Sequence, residues 1–393
     1  MTIATKVNEC IQGASWIRKM FEEGAALRQQ YGADQVFDFT LGNPTIEPPA
    51  ELHAALKKIA ETPLPGMHRY MNNAGYDETR AAVAEVIAER CDQPITGANV
   101  VMTCGAGAAL NVVLKTLLNP GDEVIILTPY FVEYKFYIDN HQGIPVTVAT
   151  KEDFQPDLEA IEGAISERTR AIIVNSPNNP TGVIYPETTL KQLGELLQKK
   201  EQELGSSITV ISDEPYAKIS YGEKVPCIFN CVSNSIIVTS HSKDLALPGE
   251  RIGYLAANPA MTEVGLFMQG AIFCNRVLGF VNAPALMQRL VTGLQRCSVD
   301  SEIYRHKRDL LYDKLTTLGF EMVKPGGGFY LFPKSPLSDE MDFIRLAQKY
   351  LILLVPGSGF GAPGYFRIAY CVDDDMIERS LPLWEQLAKE AGL

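Results

Sequence analysis

The sequence lacks any Cys-x-x-Cys pair, and none of its eight cysteines (Cys10, Cys91, Cys104, Cys227, Cys231, Cys274, Cys297 and Cys371) has a histidine at metal-ligand spacing. Neither a zinc site nor a disulfide framework is therefore signalled, and reduced thiols in a cytoplasm are expected. Basic charge is also short: Lys plus Arg count 35 against 47 Asp plus Glu, a net charge of -12. That balance excludes a bulk electrostatic grip on nucleic acid or an anionic membrane but leaves room for a small local anion site. No run of about 18 apolar residues occurs, and the opening MTIATKVNECIQGASWIRKM lacks a basic segment followed by an apolar core, so the chain is expected to be neither exported nor membrane-spanning. Low-complexity tracts, long linkers and internal repeats are missing too, which predicts closely packed domains.

What is present is an ordinary globular composition, 46% hydrophobic and 21% charged over 393 residues, long enough for two or three domains with substantial cores. Between about residues 75 and 300, short β-branched runs alternate with amphipathic stretches. The runs read as strands over Asn99–Cys104, Glu123–Thr128, Ile144–Thr150, Ala171–Asn175, Ile208–Ser212, Ser235–Thr239 and Gly253–Ala257. Several are continuously apolar, as strands buried on both faces must be. Helices are expected between them, among others over Ala106–Leu118, stopped by Asn119-Pro120-Gly121-Asp122, and Pro186–Glu203. The pattern is α/β: a mostly parallel sheet with helices on both faces.

After about residue 300 it changes to a long charged helix (Ser301–Leu318), strand-like pieces at Glu321–Lys324, Phe329–Pro333, Ile352–Val355 and Phe366–Tyr370, and a final helix from Asp374 to Glu390. This reads as a smaller α+β domain over 301–393. Residues 1–60, with a helical stretch from residue 15 and a turn at Leu41-Gly42-Asn43-Pro44, are expected to complete it, leaving 61–300 as the large domain.

Open α/β sheets bind ligands beyond the carboxyl ends of their strands, so the residues just past each strand carry the function. Gly105-Ala106-Gly107 opens a helix, where backbone N–H groups and the positive end of the helix dipole suit a phosphate. The same glycines resemble a nicotinamide-cofactor fingerprint, but Leu110 stands where its third glycine belongs; a plain tight turn is the other reading. Lys243, in Ser240-His241-Ser242-Lys243, lies just past an apolar strand, where desolvation lowers an amine and makes it a nucleophile able to form a Schiff base. A loop lysine on the surface is its bland alternative. Arg251, eight residues on, adds a bidentate phosphate clamp. Asp213 ends a strand near the same cleft, where its carboxylate needs a cationic partner such as a protonated pyridine nitrogen; a loop or capping aspartate is the alternative. Tyr216 and Asn179 can both hydrogen-bond a phenolate oxygen on the same ring.

These motifs, Asn175-Ser-Pro-Asn-Asn-Pro-Thr-Gly182, Asp213-Glu-Pro-Tyr216 and Ser240-His-Ser-Lys243 followed by Pro248-Gly-Glu-Arg251-Ile-Gly-Tyr254, closely resemble the fold-type I pyridoxal-phosphate aminotransferases of class I/II, the aspartate aminotransferase superfamily. Leu41-Gly-Asn-Pro44, Lys324-Pro-Gly-Gly-Gly-Phe-Tyr330, Val355-Pro-Gly-Ser-Gly-Phe-Gly361 and Phe366-Arg-Ile368 extend the resemblance from about residue 40 to 370 in the family's order. It implies the pyridoxal-phosphate-dependent transferase fold, with Lys243 holding pyridoxal 5'-phosphate as an internal aldimine and Asp213 pairing with the ring nitrogen. Tyr216 and Asn179 match the groups on the ring oxygen, and Ser240, Arg251 and the backbone of Gly105, Ala106 and Gly107 those on the phosphate. Phe131 matches the aromatic residue that stacks on the ring, in preference to Tyr130. Arg367 matches the arginine that takes the substrate α-carboxylate, assisted by the backbone of Gly42. Tyr70 resembles a tyrosine that reaches the phosphate from the neighbouring subunit, which implies a homodimer with shared sites. The reaction implied is ping-pong transfer of an amino group from an L-amino acid to a 2-oxo acid such as 2-oxoglutarate.

For the substrate, aspartate is the first expectation. In one bacterial branch of aspartate aminotransferases a lysine reads the distal carboxylate, and the aligned position here is Gly107. In the other main branch an arginine of the partner subunit does so, and Arg276, thirty-three residues after Lys243, stands close to its spacing; a surface or interface arginine is the alternative. Alanine, aromatic and branched-chain amino acids remain open, since a buried carboxylate without a cation is costly. His68, Arg69 and Lys135 are polar residues without a place. A carbon-sulfur lyase on the same fold would keep every cofactor residue. A nicotinamide-dependent dehydrogenase would have no use for Lys243, and a DNA-binding regulator on this fold would carry a basic patch that is missing.

Overall fold

The computed structural model of the protein describes residues 2–13, 24–62 and 64–393. Its centre is a seven-stranded sheet built from β2 (Val100–Thr103), β3 (Glu123–Thr128), β4 (Ile144–Ala149), β5 (Thr169–Asn175), β6 (Thr209–Asp213), β7 (Ser235–Ser240) and β8 (Gly253–Ala257), in the order β2-β8-β7-β6-β5-β3-β4. The run from β7 to β4 is parallel, and β8 lies antiparallel to both its neighbours. Val210, Ile211, Ile236, Ile172 and Ile125 are fully buried, because helices cover both faces and leave a polar side chain nowhere to reach water. At about 1.5–3 kcal/mol for each large aliphatic side chain taken from water, these strands supply much of the driving force for folding.

The expected strands are present, two of them, Glu123–Thr128 and Gly253–Ala257, to the residue. Helices run over Ala106–Leu117 and Glu187–Leu204, the latter closed by Gly205 in the left-handed conformation. Helices over Asp77–Arg90 and Val264–Val277 also flank the sheet.

A second unit joins the two ends of the chain. β1 (Phe37–Asp38) pairs in parallel with β10 (Ile352–Leu353), and β11 (Val355–Pro356), β12 (Phe366–Ala369) and β9 (Tyr330–Leu331) form an antiparallel sheet. Helices over Ser301–Thr317, Glu340–Lys349 and Asp374–Ala391 pack on it around the buried Trp384, Phe320 and Phe343. Asp300 and Asp339 cap the first two by accepting backbone N–H bonds. Of the helical stretch expected from residue 15, residues 24–31 are helical and 14–23 lie outside the described residues.

Three expectations need correction. Glu321–Lys324 is not a strand: it belongs to none of the sheets, because the backbone hydrogen bond from the Lys334 N–H to the Glu321 carbonyl is not continued into a ladder. The run Ile352–Val355 is split between two sheets, β10 and β11. Cys91 and Cys227 form a disulfide, against the expectation that all thiols are free. The fold brings the end of the Asp77–Arg90 helix against the segment after β6, and a sequence separation of 136 residues carries no sign of that meeting. Among the described residues no helix is long and apolar enough to cross a membrane.

Candidate active site

Neighbouring parallel strands bring their last residues side by side. Asn175 ends β5, Asp213 ends β6 and Ser240 ends β7, with Asn175 in register with Asp213. A cavity of about 410 Å³ opens at these ends, walled on its far side by Thr40, Leu41, Tyr330, Phe360 and Arg367 of the second unit. It lies between the two packed units, beyond the carboxyl edge of the sheet, where such folds bind ligands.

Lys243 enters from the four-residue helix His241–Asp244 that succeeds β7, and its Nζ donates to the Gly42 carbonyl at 2.5 Å. Burial lowers the amine to about 8; Cys371 opposes the shift, and the Arg367 and Arg251 guanidiniums add to it. The group is thus poised to lose its proton near neutral pH.

Asp213 is 4% exposed. Its Oδ2 accepts from the Tyr134 hydroxyl at 2.5 Å, whereas its Oδ1 is buried without a hydrogen-bond partner among the described residues. Burial raises the carboxyl to about 7; the Tyr134 hydrogen bond opposes the shift and neighbouring Glu214 adds to it. Such a carboxylate calls for a cation, and the protonated ring nitrogen of pyridoxal 5'-phosphate meets that need. The strand end is itself held, since Asn175 Nδ2 donates to the Asp213 carbonyl at 2.8 Å and Asn175 Oδ1 accepts from the Asn179 N–H at 2.7 Å.

Gly105, at φ +84°, precedes the helix Ala106–Leu117. A Cβ built there would stand 2.8 Å from the Arg251 guanidinium, and one on Gly253 would meet the Thr239 carbonyl and the Gly105 backbone. Glycine at both positions is what lets Arg251 close over the helix N-terminus, where an anion is favoured. Arg251 Nη1 donates to the Pro248 carbonyl at 2.9 Å. This cradle, the orphan carboxylate oxygen and the buried amine together fit the phosphate, ring nitrogen and aldehyde of that cofactor.

Arg367, on β12, donates to Asn179 Oδ1 at 3.0 Å and to the Thr40 carbonyl at 2.6 Å, while its Nε is buried without a partner among the described residues. The Tyr330 and Phe360 rings lie 4.6 and 4.7 Å from the guanidinium and fix its plane. Tyr216 and Tyr330 share a hydroxyl-hydroxyl bond at 3.0 Å. Phe131 lines the cavity with its ring edge on Tyr134; Tyr130 packs under Gly361 instead.

Of the residues singled out in the sequence, Gly42, Ala106, Gly107, Phe131, Asn179, Asp213, Tyr216, Ser240, Lys243, Arg251 and Arg367 line this cavity, with Gly105 directly beneath Arg251. Tyr70 and Arg276 do not. Tyr70 is 89% exposed, and Arg276 stacks on Phe273 on the outer face of its helix. Sequence reasoning missed Tyr134, Tyr137 and Tyr330. The first two are three residues apart and share a helix face just after Phe131, a spacing that was there to be read. Tyr137 sets its hydroxyl 3.0 Å from where a Gly107 Cβ would stand. Tyr330 ends the Gly-Gly-Gly-Phe-Tyr run, and its place in that motif was the available signal.

Comparisons with known proteins bear on the family and the fold. The family model for aminotransferase class I and II matches residues 34–381. An aspartate/prephenate aminotransferase of Thermus thermophilus is 34% identical over 93% of both chains, and an aspartate aminotransferase of Bacillus subtilis 30% identical over 86% of this chain and 88% of that one. Among solved structures, an amino transferase from Eubacterium rectale superposes with a TM-score of 0.95 at 37% identity over the whole of both chains. Thermus thermophilus aspartate aminotransferase with maleate gives 0.84 at 27% identity, covering 95% of this chain and 96% of that one. The chain belongs to the class I and II aminotransferases, a family dependent on pyridoxal 5'-phosphate, and has their aspartate aminotransferase-like fold.

Proposed function

We propose that this aminotransferase moves an amino group from an L-amino acid, aspartate first, to a 2-oxo acid such as 2-oxoglutarate, both half-reactions using the one cavity. The observation that carries the reading is that one cavity brings together a buried amine, Lys243, a buried carboxylate, Asp213, with one oxygen unpartnered among the described residues, and two arginines, Arg251 and Arg367. When bound, pyridoxal 5'-phosphate supplies an electron sink for the carbanion at the substrate Cα.

Each residue has a role its position supports. Lys243, lowered to about 8, would attach the cofactor, and as a neutral amine it can take and return the proton at the substrate Cα. Asp213 would pair with the ring nitrogen, and Tyr134 holds that carboxylate. Tyr216 and Asn179 would hydrogen-bond the ring oxygen, Phe131 would lie against the ring, and Ser240, Arg251 and the backbone of Gly105, Ala106 and Gly107 would hold the phosphate. Arg367 takes the α-carboxylate with the Gly42 backbone beside it. The exposed Tyr70 suits a homodimer in which it reaches the partner's phosphate, and the exposed Arg276 suits a reader of a distal carboxylate in that partner.

The aspartate aminotransferases among the relatives support aspartate. A specific observation favours a second donor class: among the described residues the cations lining the cavity are Lys243, Arg251 and Arg367, and Tyr137 fills the space beside Gly107. A neutral side chain, as in alanine or an aromatic amino acid, needs no further cation. The test is the visible spectrum of the cofactor-loaded protein on stepwise addition of L-aspartate, L-alanine and an aromatic amino acid without any oxo acid. Loss of the lysine-bound band with one donor, and its return with 2-oxoglutarate, is expected. A band that no donor converts would overturn the proposal.

A further inference from the structure

Behind the Lys243 turn, away from the cavity, lies a cluster of charged and polar groups that none of the roles above uses. The four-residue helix His241–Asp244 has no side-chain cap at its start, so something else must hold it. Asp244, buried, is where the contacts converge. Its Oδ2 lies 3.1 Å from Lys218 Nζ and 3.2 Å from His241 Nδ1, and its carbonyl accepts from the Val299 N–H at 2.7 Å. Lys218 also donates to the carbonyls of Gln295 and Cys297 at 2.6 and 3.2 Å. On the other edge of the His241 ring, Nε2 sits 3.3 Å from Gln295 Nε2. The Lys243 turn is therefore clamped between the turn after β6 and the 295–299 segment.

Among the described residues, the other charged and titratable side chains lining this spot are Arg90 and Glu214, joined at 3.0 Å, and Tyr254, whose ring lies 6.1 Å from that of His241; Ser212 satisfies the second Glu214 oxygen at 2.8 Å. Arg90 and Glu214 thus compensate each other, and Asp244 and Lys218 do likewise. Burial by itself would raise the Asp244 carboxyl, but His241 and Lys218 outweigh it and hold the group ionised.

We infer that Asp244, gripped by Lys218 and His241, is a positioning residue that aims Lys243 at the reacting carbon. The inference rests on the reading of Lys243 as the cofactor-bearing lysine. Asp244 does not line the cavity; it fixes the backbone from which Lys243 projects. A misplacement of about 1 Å in a proton-transferring group costs about a hundredfold in rate, so a loosened turn affects turnover far more than substrate binding.

The experiment compares Asp244→Asn, Lys218→Met and the double variant with the wild type, all loaded with pyridoxal 5'-phosphate. It reads kcat and KM separately, together with the pH midpoint at which the visible band of the lysine-bound cofactor changes. Asp244→Asn is expected to lower kcat by about 10–100-fold with KM within about twofold. It leaves the Lys218 ammonium uncompensated behind Lys243, so the midpoint moves to lower pH. The double variant returns the midpoint toward the wild-type value, because the charge is balanced again, while kcat stays low. Lys218→Arg, which keeps the pair, retains more turnover than Lys218→Met. A lower Tm with kcat and midpoint both unchanged overturns the inference and leaves the cluster a structural one. Should Asp244→Asn fail to fold, Lys218→Met and His241→Gln carry the test, and unchanged kcat and midpoint in both overturn it. A wild-type protein that forms no visible band would instead defeat the reading of Lys243.

Discussion

In the cofactor-free chain, Asp213→Asn is expected to raise stability at pH 8 while disabling the loaded enzyme. Asp213 ionises near its ordinary 3.8 in the unfolded chain, whereas burial, partly opposed by the Tyr134 hydrogen bond, lifts it to about 7 in the folded one. Between those values the folded chain keeps a proton that the unfolded chain has released, so every rise in pH favours unfolding. Below the lower value both states are protonated and the group costs nothing; above the upper one the penalty is complete. At about 1.4 kcal/mol per pH unit, the interval is worth on the order of 4 kcal/mol. Asparagine carries no such proton. Its carbonyl can still accept from Tyr134, and its amide takes the place of Oδ1, which has no protein partner among the described residues, at a cost of about 1–3 kcal/mol. The net gain at pH 8 is then about 1–3 kcal/mol. Urea denaturation of the cofactor-free proteins at pH 5 and pH 8, at one protein concentration, measures it. The wild type loses more stability than the variant between the two pH values. With pyridoxal 5'-phosphate bound, the variant loses about 10²–10³-fold in turnover, as for other preorganised electrostatic groups. Parallel pH dependence of the two cofactor-free proteins would refute the reasoning, because it would mean that Asp213 is not a strained acid waiting for a cation.

Tyr134→Phe removes the one hydrogen bond that the described residues make to the Asp213 side chain and is expected to weaken pyridoxal 5'-phosphate binding about tenfold, measured by equilibrium dialysis; affinity within twofold of the wild type would count against the support role. Arg367→Gln should cut kcat/KM for every amino donor by about a hundredfold, whereas Arg276→Ala should affect only dicarboxylates, and steady-state kinetics with aspartate and alanine separates the two. Equal effects of Arg276→Ala on both donors would remove it from the substrate site. Cys227→Ser opens the link to Cys91 and is expected to cost about 2–4 kcal/mol in denaturation while turnover stays at the wild-type level; unchanged stability would show that the bond does not constrain the unfolded chain.

How much of this was legible in the chain depends on the kind of signal. Glu123–Thr128 and Gly253–Ala257 were readable because strands buried on both faces must be apolar throughout, and that requirement is local. Glu321–Lys324 misled because four residues of strand-like composition do not reveal whether a neighbouring strand lies in position to pair with them. The cavity residues were found because most of them stand directly after strands, where the sheet geometry forces them together. Tyr134, by contrast, acts from a helix 79 residues away from Asp213, and only packing shows that its hydroxyl reaches the carboxylate.

By itself, then, the sequence determined the alternation of strand and helix, the family, and the set of groups at the strand ends, since each is encoded in periodicity or in contiguous motifs. The tertiary structure decided what depends on burial and on partners distant in the chain. A side chain's ionisation is set by everything packed around it, so only the fold made Lys243 a weak base near 8 and Asp213 a weak acid near 7. The same holds for the disulfide between Cys91 and Cys227 and for the approach of Lys218 to the neighbouring pair His241 and Asp244, which only the fold brings about.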